Sequence, residues 1–415
     1  MTSRDCRVAL LVNFVPPYRV PLFRALREHV GELRICVSTP VERNRAWPAD
    51  WADLPVVVQR SITLEKRWKR PEGFRELTFV HLPYDTVGQL RRFRPDVIIS
   101  GELGMRSWMA AAYKLVTPDV RLMIWATLSE RTERRRGFAR QRLRPALLKH
   151  ADAVLVNGAS GARYITAQGM SADRLTRVPY TADVAAFSAT FHRQFEDDAI
   201  SLLYVGVLIP RKGVVGFATK LADWAARHPH RTIRMHIAGD GPERARLEVL
   251  WLPNNVELVF LGEVAYADLP AVYRRSSILV MPTLEDEWGV VVNEAMAAGL
   301  PVLGSVYSQA VEELVVDGES GWTFAPDNEH SVMAALDAAF NTSADDRALM
   351  SMQARVRALS ITPAKVAGDI AGAIDRVVAR RVSGVSLAIP PHSVDALSGR
   401  SSPRYPVDTN ATRPG

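Results

Sequence analysis

Two cysteines in 415 residues, Cys6 and Cys36, exclude a disulfide framework and suit a reducing compartment. Nine histidines in no zinc spacing, with only those two thiols, exclude a structural zinc site. No apolar run approaches the roughly 18–20 residues that cross a bilayer. The first run, Val8 to Val12, is too short for the core of a signal peptide and is broken by Asn13 and Pro16-Pro17. A cytoplasmic protein is the expectation. There is no Walker loop, no Gly-x-Ser-x-Gly elbow and no repeat of solenoid period.

What is present is a chain 47% hydrophobic, enough for two cores of ordinary domain size. Its net charge of +7 is concentrated in the first half. Arg131, Arg134, Arg135, Arg136, Arg140, Arg142, Arg144 and Lys149 share one segment, opposed only by Glu133. Arg60, Lys66, Arg67, Lys69 and Arg70 surround Trp68. Two readings stay open: solvated faces, or a surface that rests on anionic lipid or meets a polyanionic acceptor. No nucleic-acid motif accompanies the charge, so nucleic acid is not an expected partner.

Apolar runs alternate with helix-period stretches. Val8–Val12, Leu33–Ser38, Val56–Val58, Val97–Ser100, Leu122–Trp125 and Ala153–Val156 read as buried strands. Val20–His29, Thr86–Phe93, Ser107–Leu115 and Arg140–His150 read as the helices between them. The alternation predicts a parallel, doubly wound sheet. It restarts with strands at Ser201–Val205, Ile233–Ala238, Val256–Leu261, Ile278–Met281 and Pro301–Leu303. Helices over Val214–Arg227, Glu243–Leu250, Asp268–Arg275 and Val290–Ala298 separate these. The fold class is therefore α/β with two such sheets, joined near Asp183–Asp198. Ligands of such sheets sit beyond the carboxyl ends of the strands.

The most informative stretch runs from Pro282 to Ser305: strand end, acidic loop, Gly289, short helix, Gly299, new strand. A helix entered in this way offers backbone N–H groups and a dipole that favour an anion. Asp286 in the loop and Glu294 on the helix lie eight positions apart. Phosphate on the amides and sugar hydroxyls on the two carboxylates is the chemistry that a nucleotide-sugar site requires. Glu294 sits among Val290, Val291, Val292, Ala295 and Met296, so it needs a partner or a ligand. Which of Glu285, Asp286 and Glu287 reaches a ligand is not set by spacing.

Other loops fall on the same edge. Gly206 to Gly213 follows a strand and carries Arg211 and Lys212, cations suited to a diphosphate. Gly239-Asp240-Gly241-Pro242 reads as a tight strand-to-helix turn, since a dinucleotide fingerprint would need a third glycine. Glu102 and Glu130 each follow a first-half strand and read as a base, an acceptor-binding carboxylate or a helix cap. In the rigid loop Asn13 to Arg19, Pro17, Tyr18 and Arg19 are candidate acceptor contacts.

Together these segments resemble the retaining glycosyltransferases of family four, over roughly residues 6–380. Asp286 to Ala297 is similar to the family's two-carboxylate signature with seven intervening residues, followed by Gly299 to Val302. Tyr204 to Gly213 resembles the phosphate-binding segment, and Phe260-Leu261-Gly262 the stretch near the base. Pro16 to Phe23 is similar to the opening of a bacterial subgroup, and Asp317 to Gly321 to the usual downstream turn.

The resemblance implies a GT-B fold of two facing Rossmann-like domains, 1–185 for the acceptor and 186–362 for the donor. A C-terminal helix at 363–382 would pack back on the first domain, and a disordered tail would occupy 383–415. It implies a catalytic set of Asp286, Glu294, Lys212 and Glu130. Gly206, Arg211, Gly239, Val264, Glu287, Trp288, Gly289 and Val290 would bind a nucleotide-diphosphate sugar, with no metal and no other cofactor. The acceptor would be a glycan or lipid-linked acceptor in polysaccharide, lipopolysaccharide or glycolipid synthesis, at an anionic inner membrane face that the basic first half suits.

Three departures stand out. Asp286 replaces the usual Glu, Val207 the frequent Arg, and no histidine follows Leu122–Trp125, where Glu130 or Thr127 would fill the space. The competing expectations are a nucleotide-sugar epimerase on the same fold and a non-catalytic relative that keeps the cleft.

Overall fold

The structure is a computed structural model that describes residues 1–42, 51, 53–69, 75–134, 137–188 and 199–380. Arg70, Arg135, Arg136, most of the expected junction (189–198) and the tail 383–415 lie outside the described residues.

The first half runs β1 (Arg7–Val12), α1 (Val20–His29), β2 (Glu32–Val37), β3 (Val56–Val58) and a hairpin of β4 (Ser61–Lys69) with β5 (Arg75–Pro83). It continues with α2 (Thr86–Phe93), β6 (Val97–Gly101), α3 (Met105–Val116), β7 (Arg121–Ala126), α4 (Phe138–Leu148), β8 (Ala153–Val156), α5 (Ala159–Ala167) and β9 (Leu175–Arg177). Seven strands form a parallel sheet in the order β3-β2-β1-β6-β7-β8-β9. Its central strands are apolar on both faces because helices cover both sides.

After α6 (Val184–Ser188) the second half runs β10 (Ala199–Val205), α7 (Val214–Ala226), β11 (Thr232–Ala238), α8 (Arg244–Glu248), β12 (Val256–Gly262), α9 (Leu269–Arg274) and β13 (Ile278–Met281). Then come α10 (Val290–Ala297), β14 (Val302–Ser305), α11 (Gln309–Leu314) and β15 (Gly321–Phe324). The chain ends its described part with α12 (Glu329–Asn341), α13 (Ala344–Leu359) and α14 (Pro363–Ala379). The second sheet is parallel, in the order β12-β11-β10-β13-β14-β15. Both sheets reverse strand order beside their first strand, which opens a crevice at the carboxyl edge.

The alternating strands and helices follow the sequence pattern within a residue or two, and the doubly wound α/β class holds. Periodicity passed over the β4–β5 hairpin, because its alternating Ile62, Leu64 and Leu82 are interrupted by charged residues. It also passed over α13, whose apolar positions are diluted by Asp345, Asp346, Arg347, Arg355 and Arg357. That helix starts cleanly all the same: the Asp346 amide donates to the Ser343 side chain.

The last helix belongs physically to the first half. α14 begins with Thr362 as cap and Pro363 in its first turn. Val366, Ile370, Ile374 and Val377 then join Leu22, Phe23 and Leu26 of α1 in one buried cluster. The Ser3 amide donates to Asp375 Oδ1 at 2.5 Å and Arg376 donates to the Thr176 hydroxyl at 2.8 Å. α6 does the reverse, with Val184 and Phe187 packing into a second-half cluster with Leu203, Tyr273 and Met296.

Ile374 is fully buried. Truncating it to Ala should cost about 2–5 kcal/mol of stability, read as a lower denaturant midpoint. An unchanged midpoint would mean that α14 contributes nothing to the first core.

A candidate active site between two sheet edges

The donor-side edge is knitted from backbone. The Gly206 amide donates to Ala238 O (2.9 Å), Leu208 to Asp240 O (2.9 Å), Gly239 to Gly262 O (2.7 Å) and Glu243 to Leu208 O (3.0 Å). A Cβ on Gly239 (φ +141°) would lie 2.0 Å from Gly206 O, so this approach requires glycine. The Gly239-Asp240-Gly241 turn thus props up the Gly206 loop. Arg211 and Lys212 sit in a short 3-10 turn, Pro210–Lys212. The Arg211 carbonyl accepts from the Leu284 amide (2.9 Å) and the Thr283 hydroxyl (3.2 Å), and its guanidinium donates to Glu285 O (3.2 Å). These bonds clamp the basic turn onto the acidic loop.

The clamp brings charges together. Lys212 Nζ lies 2.5 Å from Asp286 Oδ2, with both side chains mostly buried. Burial pushes the Asp286 carboxyl up, but Lys212 and Arg211 outweigh it and hold the group below its ordinary range. Lys212 therefore faces Asp286 itself.

Gly289 (φ +101°) starts α10 without a side-chain cap. Glu294, one turn further on, is buried and accepts from the Tyr273 hydroxyl at 2.8 Å. Burial pushes its carboxyl up to about 7, against the pull of that hydrogen bond. Tyr273 is thus the partner that a buried Glu required. Val264 is half-buried against the cluster that holds Tyr273 and Met296.

Two donor candidates serve differently from their side-chain type. Trp288 is buried, its Nε1 donating to Asn293 Oδ1 (2.8 Å), while its amide donates to the Asp286 carboxylate. Trp288 therefore orients Asp286 rather than presenting a ring to the cleft. Glu287 is exposed in the cleft.

On the first-half edge, Pro17–Arg19 forms a 3-10 turn. Tyr18 stacks on Tyr180 at 6.0 Å. The Arg19 guanidinium lies over the rings of Trp125 (4.9 Å) and Tyr180 (4.3 Å). Glu102 is exposed and adopts φ +68°, a left-handed conformation unusual outside glycine. Asn13 Nδ2 donates to its carboxylate at 2.9 Å.

Behind Asn13, buried Arg106 donates to Asn13 Oδ1 and to Ser38 Oγ (2.7 Å). Sequence reading missed Arg106. Its signal was an arginine in the first turn of a helix, where the dipole disfavours a cation.

Glu130 is held by neighbours. Its carboxylate takes Arg163 at 2.8 Å and the Ser160 hydroxyl at 3.2 Å, and Arg163 also reaches Glu312 at 3.0 Å. It is a link in the seam between the halves. Thr127 hydrogen-bonds the Tyr180 side chain. The basic segment 131–149 is not one open face either: Arg131 lies over the Tyr307 ring, and Arg144 pairs with Glu133 and the Tyr164 hydroxyl.

The seam itself is polar. Gln309 donates to Leu128 O (2.7 Å) and Glu287 O (2.5 Å) and accepts from the Gly161 amide (3.0 Å). Glu313 accepts from the Ala159 amide (2.5 Å), and Asn293 donates to Tyr180 O (3.0 Å). The first turn of α5 is thus capped from across the cleft.

Two family descriptions divide the chain: "Glycosyl transferase 4-like domain" matches residues 15–181 and "Glycosyl transferases group 1" residues 189–357. An uncharacterised glycosyltransferase of Methanocaldococcus jannaschii is 31% identical over 34% of this chain and 36% of its own. Glycogen synthase of Mycobacterium tuberculosis is 30% identical over 39% of this chain and 38% of its own. The chain therefore spans well under half the length of these curated relatives. Among solved structures, Anabaena HepE in complex with UDP superposes with a TM-score of 0.67 at 16% identity, covering 89% of this chain and all of that one. At such identity the likeness is one of fold, and the fold is GT-B.

Glu294 generates a pH test. Its folded carboxyl titrates near 7 and an ordinary glutamate near 4.5, so the folded state binds the extra proton between those values. Stability should fall as pH rises from 4.5 to 7 and stay reduced above that. Glu294→Gln, which keeps an acceptor for Tyr273, should match the native protein at pH 4.5 and exceed it at pH 8 by about 3 kcal/mol. Denaturant melts at both pH values check this, and a constant difference would refute the buried titration.

Proposed function

The chain belongs to the group 1 glycosyl transferases, and on that premise we propose that it moves a sugar from a nucleotide-diphosphate sugar to a glycan or lipid-linked acceptor. Configuration at the anomeric carbon is retained. The observation that carries this reading is the Lys212–Asp286 pair beside the uncapped start of α10, with Glu294 buried one turn along it. Cation, carboxylate and helix dipole converge where a diphosphate and its sugar would meet.

In this reading the diphosphate draws Lys212 and Arg211 toward itself and rests on the amino end of α10. Asp286, released from Lys212, accepts hydrogen bonds from the hydroxyls of the transferred sugar. Glu294 accepts from the ribose hydroxyls, which favours its ionised form. Gly206 and Gly239 let the backbone approach the phosphates, and Val264 lies beside the base. Glu102, held by Asn13, accepts from the acceptor. The acceptor hydroxyl attacks the anomeric carbon from the face that the diphosphate leaves. The new carbon–oxygen bond forms as the sugar–phosphate bond breaks, and the departing phosphate oxygen takes the hydroxyl proton. Positive charge from protein groups serves the leaving group, so no metal and no cofactor are needed. A cytoplasmic enzyme peripheral to a membrane suits a lipid-linked acceptor in polysaccharide, lipopolysaccharide or glycolipid synthesis.

A melting panel of UDP, GDP, ADP and CMP tests the donor site, with UDP first because HepE was solved with it. One nucleotide at a hundredfold excess over its Kd should stabilise the protein by about 2.7 kcal/mol. Glu294→Ala and Lys212→Ala should abolish that gain and most of the transfer. Full turnover by folded Glu294→Ala would overturn the site, and a flat panel would leave a cleft that binds no donor.

A further inference from the structure

We propose that the β4–β5 hairpin rests on an anionic lipid surface and sets the acceptor side of the cleft against it. The proposal rests on the transferase reading only for what it says of the acceptor.

The hairpin grows from the ligand-binding edge. β3 runs parallel to β2 and β1, so its end at Val58 lies on the same side as the loops that hold Asn13 and Tyr18. Two strands of nine residues reach about 30 Å along their length. Register divides the side chains. Thr63 faces His81 across the strands, their side chains hydrogen-bonded at 2.9 Å; His81 is buried, with Glu42 3.5 Å away. On that face His81, next to Glu42, is the point held against the body of the domain, while Thr63 stays exposed.

The opposite face carries Ile62 paired with Leu82, and Leu64 paired with Val80. Ile62, Leu64 and Val80 are 55%, 51% and 37% exposed, and Val58 and Tyr84 at the base are exposed too. A sheet face with this much bare apolar surface marks a contact site.

Charge selects the occupant. Arg60 and Lys66 are exposed beside the apolar residues. A second copy would set these cations against their equals. An anionic bilayer satisfies both features, taking the apolar residues into its interface and the cations at its headgroups. The acceptor that this geometry serves is carried by lipid.

Co-sedimentation of the full chain with vesicles of phosphatidylcholine and phosphatidylglycerol (3:1) tests the surface, with pure phosphatidylcholine as control. The protein should pellet with the anionic vesicles alone, and high salt should weaken it. Ile62→Glu with Leu64→Glu should lower partitioning about tenfold or more, and Arg60→Glu with Lys66→Glu by a similar factor. Failure to pellet, equal binding to neutral vesicles, or full binding by the apolar double variant would each overturn the proposal. So would a native dimer that the same variant turns into a monomer, which assigns the face to a second copy. The nucleotide melting shift should survive in both variants. Its absence in the native protein would strike the donor site while leaving the vesicle result to stand alone.

Discussion

Carboxylates in a nearly dry place are the constraint on which the site depends. Asp286 and Glu294 are buried at the edge of an apolar sheet, where an uncompensated charge costs several kcal/mol. The protein answers in two ways. Asp286 stays ionised because Lys212 and Arg211 stand beside it, and these stand there because the Arg211 carbonyl anchors the acidic loop. Glu294 has one neutral partner, Tyr273, and keeps a raised affinity for its proton. Two carboxylates eight residues apart thus differ in their protons because one neighbour is a cation and the other a phenol.

The same economy shapes the seam. Gln309 and Glu313 of α11 bind the first amides of α5, groups that a solitary helix would leave to water. Gln309 also holds the Glu287 carbonyl, in the loop of Asp286. The closure of the cleft and the posture of the donor loop are therefore tied through one side chain. Polar seams of this kind resemble transient interfaces more than cores, which lets two domains part without exposing a large apolar face.

The basic first half shows how a charge count misleads until side chains are placed. Of the arginines between 131 and 149, Arg131 lies on Tyr307 and Arg144 is buried against Glu133 and Tyr164. The hairpin cations keep the company of exposed Ile62 and Leu64. Composition treats the two clusters alike, and packing separates them.

How much was legible in the sequence follows from what each signal depends on. Strand and helix order, the doubly wound α/β class and the Asp286–Glu294 loop were readable, because a buried parallel sheet demands continuous apolar runs and a turn such as Gly289 demands its glycine. Local physics writes such features where they occur. Partnership is different. That Glu294 meets Tyr273, that Arg106 props Asn13 under Glu102, and that Arg19 and Glu130 are held by neighbours could not be read from any window of residues. Each pairs groups far apart in the chain, and the energy of burying a charge or a ring depends on what the fold brings to meet it. The sequence by itself determined the sheets and the kind of chemistry at their edge; the tertiary structure alone decided which side chains were already taken and which face the cleft.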